Sequence, residues 1–260
     1  AILVALGTSL PELFVAIMSG FEGRSEISLG NVFGANIANS SLVIGGAALM
    51  AGTLPIVGEL ARWEFSAAFL AGCAPLLLLL DGDLSRLDGL ILIVIYLIYI
   101  KDVVCDWRHK SVSHHGVVRH GLISQLKQLH KRRFDGALVK LVLGIGLMLV
   151  SADLLIETIS RLSAGLGISE VWLGVFVVAM GTTLPELVLS VSAILKKEST
   201  LVFGNLLGSI VTNATFIVGI LALIRPIHIQ RQLPYAVSSL GFVGVFGIFW
   251  VLAGSRKKLE

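Results

Sequence analysis

The sequence is a succession of apolar stretches, separated for the most part by short turns that hold much of the charge. Eight can be read, over about residues 1–20, 27–51, 61–80, 87–101, 136–158, 168–195, 200–224 and 234–254. Inside a bilayer the backbone has no water to bond. A run approaching about 20 apolar residues is therefore compatible only with a helix that satisfies its own N–H and C=O groups. A soluble core can conceal one such stretch, but not eight in succession. Charged residues make up 14% of the chain, against about 25% in a soluble domain. The expected fold is an all-α polytopic membrane protein.

One long polar segment interrupts the series. Residues Asp102–Arg133 are rich in Gln, His, Lys and Arg and read as a loop, with an amphipathic helix expected near His120–Arg133. Counting Lys and Arg on the two sides gives fifteen on the side of this loop and five on the other. Cytoplasmic loops collect positive charge, so the loop is expected in the cytoplasm. The net charge of +3 does not point to nucleic acid, because the basic residues sit in loops rather than on an aromatic-studded face. Cys73 and Cys105 form neither a disulfide framework nor a metal cluster.

An internal repeat constrains the architecture further. Gly7-Thr8-Ser9-Leu10-Pro11-Glu12-Leu13 recurs as Gly181-Thr182-Thr183-Leu184-Pro185-Glu186-Leu187, and Glu12 and Glu186 are 174 residues apart. At the same offset, and without a gap, Gly30-Asn31-Val32-Phe33-Gly34 falls on Gly204-Asn205-Leu206-Leu207-Gly208. Asn39 falls on Asn213 and Gly45 on Gly219. Two motifs sharing one offset mark a duplication. The charge count gives the two copies opposite directions across the membrane, which makes them inverted-topology repeats whose halves meet at the midplane. The second copy has a helix before its Glu186 helix that the first copy lacks. The first has a helix after Asp81–Asp88 that the second lacks. Completing the symmetry gives ten spans, eight of them in this sequence, with the first and last expected to be missing. The divisions expected are an N-terminal repeat over 1–101, a basic loop over 102–134 and a C-terminal repeat over 135–260.

Glu12 and Glu186 lie within apolar spans, where a carboxylate costs about 2.5–3.5 kcal/mol on insertion scales and marks a functional site by default. Neither span carries a Lys or Arg to pair with it. Thr8 and Thr182 precede the glutamates by four residues and share their helical faces, and Ser9 and Thr183 add hydroxyls three residues before. Pro11 and Pro185 each remove a backbone donor. They are expected to break the helix and free carbonyl oxygens near Gly7 and Gly181. The next helix adds Asn31, Ala35 and Asn39 at four-residue spacing, matched by Asn205, Ser209 and Asn213. Gly30 and Gly34, with Gly204 and Gly208, also form small-residue packing motifs. Two carboxylates with neutral oxygens make a hard site that suits Ca²⁺ better than Zn²⁺ or Cu²⁺, since no His or Cys accompanies them. The same carboxylates suit Na⁺ or protons.

These paired motifs resemble the two alpha repeats of the cation/calcium exchanger superfamily, and the chain is most similar to a prokaryotic sodium/calcium exchanger. The resemblance covers almost the whole sequence. It implies a ten-helix fold in a prokaryotic inner membrane and antiport of Ca²⁺ against Na⁺, without a cofactor or a catalysed reaction. It implies Glu12 and Glu186 as the central ion-binding residues. Thr8, Ser9, Thr182 and Thr183 are its hydroxyl and carbonyl ligands, and Asn39, Ser209 and Asn213 line the sites. Ala35 departs from the pattern where many relatives have serine. Asn213 departs where potassium-dependent and many archaeal relatives have aspartate, which argues against K⁺ dependence.

A calcium/proton exchanger is the nearest alternative, because a glutamate pair can trade Ca²⁺ for protons. A channel is more remote, and an enzyme lacks a nucleophile–base pair near either motif. Asp153 and Glu157 are read as interface residues, and Asp81, Asp83 and Asp88 as a solvated acidic turn. The five histidines from His109 to His130 are read as part of the solvated loop.

Overall fold

The computed structural model describes residues 2–51, 54–55, 59–113, 134–196, 198–229, 232–256 and 258–259. Nearly all of them are helical. Among them six helical stretches are long and apolar enough to cross a membrane: Ser25–Ala51, Glu64–Asp81, Val142–Leu166, Glu170–Leu195, Leu201–Ile224 and Leu233–Val251. The other two expected spans are helical as well, within residues 2–22 and 86–113. Burial sorts the spans. Leu201–Ile224 is 78% buried and central, whereas Val142–Leu166 is 17% buried and turns Leu143, Leu147 and Val150 outward. Large apolar side chains exposed along a whole helix would be unfavourable in water and are ordinary against lipid tails.

Two helices run further than the sequence suggests. Arg86–Ser113 continues well past residue 101, because nothing from Asp102 to Ser113 is a Gly or Pro that would stop it. Phe134–Leu166 likewise runs past 158 and ends at Gly167, whose φ of 68° is the left-handed conformation that terminates helices. The amphipathic helix expected near 120–133 lies outside the described residues.

The duplication is legible in the element order. The helix Ile2–Thr8 breaks at Ser9 and resumes as Leu10–Glu22; the helix Ala179–Thr182 breaks at Thr183 and resumes as Leu184–Leu195. Ser25–Ala38 passes into a π-helical turn at Asn39–Val43, and Ser199–Val211 passes into one at Thr212–Ile217. Two short ladders repeat the pattern. β1 (Leu54–Pro55) pairs antiparallel with β4 (Lys258–Leu259), and β2 (Asp83–Leu84) pairs antiparallel with β3 (Ile227–His228). Moved by 174 residues, Leu54 of β1 falls on His228 of β3 and Leu84 of β2 on Lys258 of β4, so the two ladders are related contacts between the halves. Gly23 turns the chain between the first two full helices with φ 77°, and a Cβ there would lie 2.6 Å from the Arg225 guanidinium. Residues 23 and 225 therefore share one end of the bundle with the β2–β3 ladder. The Ser25–Ala51 helix runs from that end to β1, so the β1–β4 ladder closes the opposite end.

The two halves approach most closely through glycine. A Cβ on Gly30 would lie 2.3 Å from the Val171 carbonyl oxygen, one on Gly34 2.3 Å from that of Val175, and one on Gly174 2.4 Å from that of Ile27. The Asn31 helix thus packs backbone to backbone against the segment leading into Thr182. Small residues permit this approach where no side chain fits.

Candidate cation site

The proline in each motif sets the local geometry. Pro11 and Pro185 sit in the first turn of the resumed helix, where a missing N–H is tolerated. Ser9 and Thr183 occupy the break, with φ −83° and ψ 7° and −1°. The interruption is one residue long, since Ser9 and Thr183 still donate backbone bonds to the carbonyls of Ala5 and Ala179. Gly7 and Gly181 are exposed and lie away from the carboxylate face. The carbonyls that share the face of the hydroxyls are those of Ala5 and Ala179, which no motif singles out. Thr8 donates to the first at 3.1 Å, and Thr183 to the second at 2.8 Å.

Glu12 and Glu186 are both fully buried, and none of their four carboxylate oxygens has a hydrogen-bond partner. Glu12 lies within electrostatic range of Glu186 and beside the Thr182 hydroxyl. Glu186 lies beside the Thr8 hydroxyl. Each carboxylate therefore stands beside the threonine of the other repeat. Those threonines are held by asparagines that also come from the opposite repeat. Thr182 donates to Asn31 Oδ1 at 2.9 Å, and Thr8 approaches Asn205 Oδ1 at 3.4 Å and Ser209 Oγ at 3.5 Å.

The remaining candidates are buried polar residues. Ser9 and Asn39 are buried with no partner for the Ser9 hydroxyl or either Asn39 side-chain atom. Asn213 donates to Asn36 Oδ1 at 3.4 Å and keeps its own Oδ1 unpartnered. Asn39 opens one of the two repeat-related π-helical turns and Asn213 is the second residue of the other, and such turns widen a helix locally and recur at functional sites. A buried polar atom without a partner costs about 1–3 kcal/mol, and more when charged. Orphaned buried oxygens of this kind are ones that a cation would satisfy. The donor set contains no His or Cys. Among the described residues no three His, Cys, Asp or Glu side chains converge, so a hard cation matches it and a transition metal does not.

The weaker sequence signals fall elsewhere. Glu157 pairs with Arg161, and Asp153 lies beside Glu22. Asp83 meets His228 at 2.6 Å across the β2–β3 ladder, and Asp88 accepts from the Ser85 N–H at 2.8 Å. The sequence did not signal Asn36, nor the holding role of Asn31 and Asn205, because neither follows from helical spacing within one repeat.

Comparison with known proteins decides the family. The profile described as "Sodium/calcium exchanger protein" matches residues 1–101 and 136–259. The chain belongs to that family. CaxA of Alkalimonas amylolytica is 30% identical over 224 residues, covering 86% of this chain and 69% of its own. The sodium/calcium exchanger MaX1 of Methanosarcina acetivorans is 27% identical over 261 residues, covering 88% of this chain and 74% of its own. Among solved structures, the sodium–calcium exchanger NCX_Mj superposes with a TM-score of 0.63 at 23% identity, covering 98% of this chain and 78% of that one. The H⁺/Ca²⁺ exchanger CAX gives 0.71 at 20% identity, covering 99% and 69%. Both likenesses establish the fold. The chain is accordingly an integral membrane protein of a transporter family, a cation/calcium antiporter rather than a member of an enzyme class.

Proposed function

We propose that the protein exchanges Ca²⁺ for Na⁺ by alternating access, with both ions competing for one midplane site. The observation that carries this reading is the pair of fully buried carboxylates, Glu12 and Glu186, within electrostatic range of each other and with no basic partner among the described residues. Their combined charge near −2 is neutralised by one Ca²⁺ or by two monovalent cations, so either occupant excludes the other. The ligands are Glu12, Glu186, Thr8, Ser9, Thr182, Thr183, Asn39, Ser209 and Asn213, with the Ala5 and Ala179 carbonyls beside them. The halves that move against one another are residues 1–101 and 135–260, joined by the basic segment 102–134, which lies in the cytoplasm beneath a prokaryotic inner membrane.

The test is radiolabelled Ca²⁺ uptake into liposomes holding the full-length protein. Uptake is expected under an outward Na⁺ gradient with pH clamped on both sides. Uptake that follows a proton gradient and ignores Na⁺ would replace Na⁺ with H⁺ as the counter-ion. A current that persists without a counter-gradient would make the protein a channel.

A further inference from the structure

Buried hydroxyls in these helices follow a consistent habit. Ser40, Thr212, Thr215 and Ser238 each donate to the carbonyl four residues earlier, at 2.6–2.8 Å. This is the default for a hydroxyl in an apolar helix, where no other acceptor is within reach. Ser28 and Ser190 break the habit. Both are fully buried, and neither hydroxyl has a partner.

Their positions are informative. Ser28 lies on the stripe of the Ser25–Ala38 helix that carries Asn31, Ala35 and Asn39, one turn nearer the Gly23 end of the bundle. Ser190 lies one turn beyond Glu186 on the same helical face, nearer the opposite end, where Lys196 ends that helix. At the 174-residue offset Ser28 corresponds to Val202, and Ser190 to Ala16, both of them buried and apolar. Ser28 and Ser190 thus place an orphaned hydroxyl on each side of the Glu12–Glu186 pair, from non-equivalent positions of the repeat; Ser25, at the start of the Ser28 helix, is a further one at the Gly23 end.

We infer that Ser28 and Ser190 form two transit positions for the transported cation, one on each side of the Glu12–Glu186 site. The inference rests on the exchange function proposed above and adds to it the route taken on each side. An ion stepping from water toward the carboxylates sheds its hydration shell in stages. A hydroxyl one helical turn short of the site replaces one lost water, at a distance that lets the next ligand engage before the last is released.

The experiment uses the full-length protein with Cys73 and Cys105 replaced by Ala, carrying Ser28→Cys or Ser190→Cys, in liposomes of determined orientation. A charged, membrane-impermeant thiol reagent is added to one face at a time. Ser28→Cys is expected to react only from the face bearing Gly23, and Ser190→Cys only from the face bearing Lys196. Saturating Ca²⁺ should slow each reaction about tenfold or more, as a site occupied nine-tenths of the time would. In kinetics, Ser28→Ala should raise the half-saturating Ca²⁺ about five-fold from the Gly23 face alone, the size of one lost neutral ligand. Ser190→Ala should do so from the Lys196 face alone. A thiol that is unreactive from both faces, or reactive without Ca²⁺ protection, overturns the assignment, as does an equal shift from both faces. Protection that persists in a protein unable to exchange Ca²⁺ for Na⁺ would overturn the exchange function and leave the transit positions standing.

Discussion

Substituting Gly34 by Ala tests whether the two repeats meet at the distance the structure shows. The new methyl would lie 2.3 Å from the Val175 carbonyl oxygen, 2.6 Å from the Ala179 Cβ and 2.7 Å from the Val175 Cα. Ordinary contact lies near 3.4 Å, so the helices must separate by about 1 Å. Two of the three obstacles are backbone and cannot turn aside. Over-packing of this kind costs about 1–3 kcal/mol. A 1 Å separation also strains the 2.9 Å hydrogen bond from Thr182 to Asn31, worth about 1 kcal/mol. The sum is about 2–4 kcal/mol, or a fall in apparent melting temperature of roughly 5–15 °C. Calcium exchange should fall with it, because Thr182 stands beside Glu12. Two controls calibrate the result. Gly208→Ala meets only the Ala5 Cβ at 2.8 Å and should cost less. Gly146→Ala meets nothing within 4 Å and should be neutral or slightly stabilising. Melting is followed in detergent by size-exclusion fluorescence, and exchange in liposomes. A Gly34→Ala protein that melts with the wild type and exchanges normally would refute the close backbone packing.

Further outcomes are expected. Glu12→Gln and Glu186→Gln should each abolish Ca²⁺ exchange while weakening Na⁺ binding less, since removing one of two opposing charges costs a divalent ion several kcal/mol, about a hundredfold or more in affinity; calorimetric titration with each ion checks the difference. Exchange should persist when K⁺ is withdrawn at constant membrane potential, because Asn213 supplies no third carboxylate. Asp83→Ala breaks an exposed contact with His228 and should lower stability by less than about 1 kcal/mol, a shift of only a few degrees in melting.

The carboxylates, the broken helices and the duplication were legible in the sequence for a physical reason. A charge in an apolar run, a proline after a helical turn and a motif repeated at one offset are all local signals. What stayed hidden depends on partners. Gly30 and Gly34 announce a close contact, but only the fold shows that Val171 and Val175 receive it. Asn31 and Asn205 read as ligands on a helical stripe, yet in the structure they hold the threonine of the other repeat. The π-helical turns at Asn39 and Thr212 leave no mark in a 3.6-residue pattern, because one extra residue per turn changes register without changing composition. The helix that runs to Ser113 was curtailed at the polar boundary, although water ends an apolar run and not a helix.

The places where the repeats differ carry an energetic consequence. Under alternating access, an inverted repeat exchanges the conformations of its halves as the site opens to one side and then the other. Were the halves identical, the two open states would be related by a two-fold rotation, with the same contacts and equal energy. The backbone framework comes close to that limit, with paired helix breaks, paired π-helical turns and paired ladders at the two ends. The carboxylates are also paired. Three hydroxyls are not: Ser209 faces Thr8 where the equivalent position is Ala35, and Ser28 and Ser190 correspond to Val202 and Ala16. Any intrinsic preference for one open state must therefore come from such unpaired positions and from the connecting segments. A population ratio of ten needs only about 1.4 kcal/mol, which is within what one or two buried hydroxyl ligands supply. On the exchange function proposed above, the duplication would set where the ions bind, and the divergence of a few side chains would set which face the site prefers.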